Sequence, residues 1–179
     1  MFITAQGEIN FMLRQMREIE ASTCIRFVQR TTHAHWIDVI DDNGWCWSWI
    51  GRIGGRQELS MGRPWCFWGA TMSHELFHAL GYDHMHNHVN RDNFVQVLWN
   101  NIDPAQRFNF NIVNSNNFGN FNTPYDLRSI MHYPRWGFAN ANTDSIVPHD
   151  RSYIDVIGMG DHLSSGDVTR LNRMYECIL

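Results

Sequence analysis

Apolar positions near the start of the chain recur with a helical period. Within Glu8–Ala21, Ile9, Met12, Leu13, Met16 and Ile19 fall on one stripe, which predicts an amphipathic helix packed against a sheet. The period then shortens. Thr23–Gln29 places Ile25 and Phe27 on one side of an alternating run, as a strand does, and Trp36–Ile40 is a second strand candidate closed by the turn sequence Asp41-Asp42-Asn43-Gly44. Gly51–Gly55 reads as a loop, Glu58–Met61 as a third strand, and Pro64–Gly69 as a short edge segment. A helix is predicted to begin at Ala70 or Thr71, with Met72, Leu76, Ala79 and Leu80 on its buried side. Asp92–Asn101 reads as a short helix whose inner residues are Phe94, Val95, Leu98 and Trp99. Phe108–Asn122 is Asn-rich and weakly patterned, and is expected to be a long irregular surface loop. Ser164–Asp167 resembles a capping box ahead of Val168, Leu171 and Tyr175 at helical spacing, so a terminal helix delivers Cys177. No internal repeat or linker is visible, and strands first with helices interspersed predict one compact α+β domain over residues 1–179.

Composition narrows the functional classes. The 179 residues are 44% hydrophobic, enough for a sizeable core, and the net charge of −4 invites neither nucleic acid nor an anionic membrane. All 14 basic residues are arginine. Eight tryptophans suit a rigid core and an aromatic-lined cleft. Cys24, Cys46, Cys66 and Cys177 form no C-x-x-C pair; an even, widely spaced set reads as two disulfides, with three pairings open, and hence as an oxidising, secreted setting. No window is long enough to span a membrane. Met1-Phe2-Ile3-Thr4 runs straight into polar residues without a signal peptide's apolar core, so secretion requires a leader upstream. No N-glycosylation sequon occurs.

The chemistry is concentrated in His74-Glu75-Leu76-Phe77-His78-Ala79-Leu80-Gly81-Tyr82-Asp83-His84. His74 and His78, four apart on a helix, project from one face, and Glu75 sits about 100° round it, within reach of a water on a metal held by both rings. Gly81 can adopt positive φ, stop the helix and swing His84 back as a third nitrogen ligand. Three protein ligands leave a fourth position open, the arrangement of a catalytic zinc (Zn2+) and of a protease. A chance His-Glu-x-x-His on an ordinary helix is the competing explanation, and the added Gly81 and His84 weigh against it.

This motif, followed by Ser129-Ile130-Met131-His132-Tyr133, resembles the metzincin zinc peptidases and, within them, the astacins. Thr23-Cys24-Ile25-Arg26-Phe27, Gly51-Arg52 with Gly54-Gly55, Arg91-Asp92, Trp99-x-Asn101-Ile102, Asn109-Phe110, Thr123-Pro124-Tyr125-Asp126, and Leu163-Ser164 through Tyr175-x-Cys177 are similar to astacin words in the same order. The resemblance implies an α+β metzincin fold. An N-terminal mixed sheet and two helices stand above a cleft (about 1–84), and an irregular lower half ends in a helix (about 85–179). It implies Cys24–Cys177 and Cys46–Cys66 disulfides, Met131 as an apolar floor under the metal, and Tyr133 as an extra zinc ligand or oxyanion donor. Glu75 is the implied general base. The implied activity is endopeptidase cleavage of an extended protein or peptide, held along the edge segment near Trp65–Trp68, by a secreted monomer. The rival function is an inactive zinc-binding module with a binding or adhesive role.

Three departures stand out. Met85 replaces the family's usual Glu after the third histidine, and Gly160 replaces a usual Arg, so a strong acidic cleavage preference is not expected. The chain also begins where astacin-like domains are just past their first strand, which lies inside the family's sheet. A fragment of a longer protein is the expectation, with a truncated, weakly stable relative as the alternative. His86 and His88 fall outside the motif spacing and are expected to face solvent; His132 is expected to be structural, and His33, His35, His149 and His162 have no partner pattern. The Trp45–Trp49 cluster borders the cleft or packs round a disulfide.

Overall fold

The computed structural model describes residues 5–113 and 121–178. Its first element is α1 (Gln6–Ser22). Met12 and Ile19 are buried as the stripe predicts, but Leu13 is 41% exposed, and the stripe is completed by Gln15. That amide is buried because it is fully used: it donates to Gly69 O at 2.7 Å and accepts from Ser73 N at 2.9 Å. The second contact ties α1 to the first turn of the histidine helix.

A three-stranded mixed sheet follows, made of β1 (Trp36–Ile40), β2 (Cys46–Ser48) and β3 (Arg56–Met61) in the order β1-β3-β2. β3 runs parallel to β1 and antiparallel to β2. Asn43 and Gly44 both take positive φ (46° and 90°), and Trp45 N donates to Asp42 O at 2.9 Å, the geometry of a tight hairpin-type turn.

Two strand expectations fail. Thr23–Gln29 pairs with no described strand; Ile25 N donates to Thr23 Oγ1 and Phe27 N to Glu20 Oε1. The alternation is real, since Ile25 and Phe27 pack on the core, but side chains satisfy its backbone. Pro64–Gly69 is turn, and the edge next to the histidine helix is β2 instead, a three-residue strand too short for a pattern to betray. Segment Gly51–Gly55 is a loop, as read, and Gly51 N donates to His78 O at 2.8 Å, so the chain leaving β2 touches the histidine helix directly.

That helix, α2 (Thr71–Ala79), starts where the pattern placed it. Beyond it, Asp92–Asn101 is not one helix. Two 3-10 turns, Arg91–Asn93 and Trp99–Asn101, flank β4 (Val95–Val97), which pairs antiparallel with β5 (Ile146–Pro148). Val95 and Val97 are buried and Gln96 is exposed, while Phe94 and Trp99, expected inside, are at the surface. Period-two burial of β-branched residues prevails over the helical reading. The expected Phe108–Asn122 loop opens instead on the end of a 3-10 segment, Pro104–Phe110, with Phe110 wholly buried; residues 114–120 lie outside the described residues.

The chain closes with α3 (Ser165–Met174), whose capping box is present: Ser164 Oγ accepts from Asp167 N, and Asp167 Oδ2 accepts from Ser164 N. Its inner face carries Asp167, Arg170, Leu171 and Asn172, whereas Tyr175 is exposed and only its hydroxyl reaches back, to Leu80 O. Both disulfides join as the resemblance implies, Cys24–Cys177 and Cys46–Cys66. One apolar cluster lies between α1, α2, β3 and α3; a second gathers Val95, Val97, Ile102, Phe110, Ile146 and Ile157.

Candidate metal centre

α2 is buried nearly all round, so the histidines do not look out from a half-open helix. It ends in a Schellman turn: Tyr82 N donates to Phe77 O, Gly81 N to His78 O, and Gly81 has φ 104°. A Cβ at Gly81 would come within 2.6 Å of Met174 on α3, so glycine answers both the turn and the close approach. The turn also aims Tyr82 O at His78 Nδ1, 2.7 Å away.

His74 Nδ1 meets Ile130 O at 2.7 Å, and Asp83 Oδ1 lies 3.7 Å from His84 Nδ1. With the Nδ1 hydrogens of His74 and His78 engaged by carbonyls, their Nε2 lone pairs are free to bind a metal. One nitrogen from each of His74, His78 and His84 lies within 4.8 Å of the others, and His78 Nε2 and His84 Nε2 are 3.2 Å apart. Two nitrogens on a tetrahedral zinc stand roughly 3.3 Å apart. No other such group occurs among the described residues.

Burial keeps these ligands neutral, as metal binding requires. Desolvation, with His78 beside it, lowers His74 to about 3; His78 and His84 are lowered as well, chiefly by desolvation. Glu75 is 4% exposed, its Oε2 has no hydrogen-bond partner among the described residues, and burial pushes its pKa up to about 8. A buried carboxylate oxygen left unpartnered is costly, and a cation beside it would favour the ionised form. Neutral nitrogens plus an orphaned carboxylate fit a zinc ion.

The segment beneath is held by a buried carboxylate. Asp167 accepts from Ser129 Oγ at 2.6 Å and from Ile130 N at 3.0 Å, and Ser129 Oγ accepts from Met131 N at 3.0 Å. The amide of Ile130 thus leans on Asp167 while its carbonyl steers His74. Met131 is wholly buried, and its carbonyl accepts from Met85 N at 2.8 Å. Tyr133 packs on His84 with ring centroids 4.4 Å apart, its phenol pKa raised by burial and then by Asp83 and Glu75.

His86 and His88 do not face solvent: they are 0% and 2% exposed. Histidines one strand-step apart look surface-like in sequence, but Met85–Asn87 is a 3-10 turn that folds His86 under Tyr133. His132 is structural as expected, with Nε2 on Tyr125 OH and Nδ1 on Tyr133 O. His33, His35, His149 and His162 are exposed. Met85 is buried with its sulfur 3.7 Å from Arg170 Nη1. Trp45 and Trp49 are exposed, while Trp47 donates to Asp42. Sequence reasoning missed His86, Asp167 and Arg170 as parts of this region; only Asp167 had announced itself, as a capping residue.

A helix carrying two histidines and a glutamate, a glycine turn returning a third histidine, and a buried methionine turn beneath them define the zinc-peptidase class. The chain belongs to the astacin family, peptidase family M12A, whose model matches residues 4–176. It is 43% identical over 174 residues to "High choriolytic enzyme 2" of Oryzias latipes, covering 97% of this chain and 61% of that protein. It is 38% identical over 176 residues to "Meprin A subunit beta" of Mus musculus, covering 98% of this chain and 24% of that protein. Among solved structures, "High choriolytic enzyme 1", a hatching enzyme zinc-protease from the same fish, superposes with a TM-score of 0.91 at 41% identity, covering 98% of this chain and 86% of that one. The chain therefore spans about three fifths of one such relative and a quarter of another.

Proposed function

We propose that this domain is a zinc-dependent endopeptidase that hydrolyses internal peptide bonds of extended protein or peptide substrates. The observation that carries the reading is the convergence of three neutral imidazole nitrogens next to a buried carboxylate whose Oε2 has no hydrogen-bond partner among the described residues. His74, His78 and His84 would hold the zinc. Bound there, zinc supplies an acidified water and polarises the scissile carbonyl. Glu75 takes a proton from the attacking water and delivers it to the leaving amine nitrogen, so water adds across the C–N bond and the products are an acid and an amine. Tyr133 donates to the carbonyl oxygen as negative charge develops on it.

Substrate lies along the outer edge of β2, which among the described residues pairs only with β3, on its other side. The edge expected near Trp65–Trp68 is thereby moved to Cys46–Ser48. The sheet and α2 form the upper wall of the cleft and the segments after His84 the lower wall, within one domain that works as a monomer outside the cell, where two disulfides persist.

Casein hydrolysis by wild type and Glu75→Gln, with and without a zinc chelator, tests this. Cleavage by wild type alone, stopped by the chelator, supports it. Zinc retained by both forms with cleavage by neither would leave only a binding module.

A further inference from the structure

His86 takes no part in the metal triad or in water activation, yet it is wholly buried. Two ties fix it. Its turn starts at Met85, whose amide donates to Met131 O, and its own Nε2 lies 3.1 Å from Asn109 O, so Nε2 carries the hydrogen. Nδ1 is left buried with no hydrogen-bond partner among the described residues. An unpaired buried nitrogen is unfavourable, so polar pairing accounts for one ring nitrogen and not for the burial of the whole ring. What the ring does contribute is its face.

That face lies under Tyr133. The two ring centroids are 3.9 Å apart at an interplanar angle of 30°. His84 follows at 4.4 Å and 56°, Phe138 at 5.5 Å, and Phe110 edge-on at 6.0 Å. Phe110 also backs His86, at 5.4 Å. Of these four rings, His86 is the nearest to Tyr133 and the most nearly parallel to it. Its backbone is anchored to Met131, two residues before that tyrosine.

We propose that His86 is the positioning residue for Tyr133: the stacked imidazole holds the phenol ring against His84 and sets how readily it leaves that orientation. The proposal rests on the reading of Tyr133 as a metal-side and oxyanion partner. A ring that must serve at the metal and again at the substrate needs a platform that does not itself move. The backbone tie at Met85, with Phe110 packed behind the ring, supplies one.

The test separates the ring from its hydrogen bond. His86→Phe keeps an aromatic face and loses the donor to Asn109; His86→Gln keeps a donor and loses the face. Both are compared with wild type as zinc enzymes, for kcat and KM on a peptide, and as Cu(II)-loaded proteins, for the visible phenolate-to-copper charge-transfer band. Metal content is measured in each. His86→Phe is expected to stay within about twofold of wild type in kcat and to keep the band. His86→Gln should lose most of the band and roughly three- to tenfold in kcat, the worth of one aromatic pair, with KM nearly unchanged and one metal retained. Wild-type band and kcat in His86→Gln, or a defect in His86→Phe as large as in His86→Gln, would overturn the proposal. Tyr133→Phe is the control for the underlying reading. If it leaves both kcat and the band unchanged, that reading of Tyr133 fails regardless of what either His86 variant does.

Discussion

The two apolar clusters are built by different rules. The first is assembled mainly from α1, α2, β3 and α3, regular elements whose inner faces follow simple periods, with Cys66, Ala70, Tyr82, Met85, Ile130 and Met131 joining it from the segments between. The second is made of β4, β5 and a 3-10 segment ending at Phe110, with Ile102 and Ile157 supplied by irregular backbone. The nitrogens of His74 and His78 proposed to hold the metal, together with the Glu75 carboxylate, come from the first region. The groups that orient them, Ile130 O for His74 and the rings around Tyr133, come from irregular chain from His84 onward, of which Ile130 is itself buried in the first cluster. Two of the three proposed ligands thus sit on rigid, locally specified backbone, and tuning groups on backbone specified by long-range contacts. Changes above should abolish chemistry, while changes below should grade it.

The largest effect should come from above. Glu75→Gln is expected to lower kcat by about 10²–10⁴-fold while zinc content stays at one; a loss under tenfold would erase the contrast. Next is the strut between the regions. Asp167→Ala orphans the Ser129 hydroxyl and the Ile130 and Ser164 amides, and should cost about 3 kcal/mol in chemical denaturation, with faster zinc loss to a chelator. Unchanged zinc retention would show that Ile130 does not steer His74.

Acid should act through buried histidines. Burial lowers His132 to about 4, against about 6.5 in the unfolded chain, so below pH 6.5 the unfolded state binds the extra proton. Its contribution, on the order of 3 kcal/mol, is present at pH 7 and lost as pH falls from about 6.5 to about 4. The pH slope of the metal-free protein's denaturation midpoint should flatten in His132→Gln; an equal slope would refute this share.

The smallest effect is expected at Met85. A glutamate there would meet the Arg170 guanidinium, now 3.7 Å from the sulfur, so its charge would be paired even though buried. Met85→Glu should change stability by less than about 1 kcal/mol and leave activity no better; a clear gain in kcat would show that the missing carboxylate limits the site.

Legibility in the sequence divides along the same line. The histidine motif, α1, β1, β3, α2 and the cap of α3 each follow from local spacing, because propensity, period and capping agree there. β2 and β5 were invisible because three residues carry no period. The run Val95-Gln96-Val97 looked helical only because Phe94, Leu98 and Trp99 flank it. His86 was misjudged for the same reason: nothing within its neighbours says that a single 3-10 turn inverts its exposure. Asp167 shows the intermediate case. Its capping role is local and was readable; its grip on Ser129 spans 38 residues and was not.

The Cys24–Cys177 bond has a consequence for survival rather than for chemistry. It joins cysteines 153 positions apart, closing nearly the whole chain into a ring. A peptidase is exposed to its own kind, and the loops between these cysteines are where a stray cut would fall. One such cut opens the ring without releasing a piece, so the nicked molecule stays a single covalent body. Only a second cut, or a reductant, sheds a fragment. On a gel such damage should be silent until thiol is added.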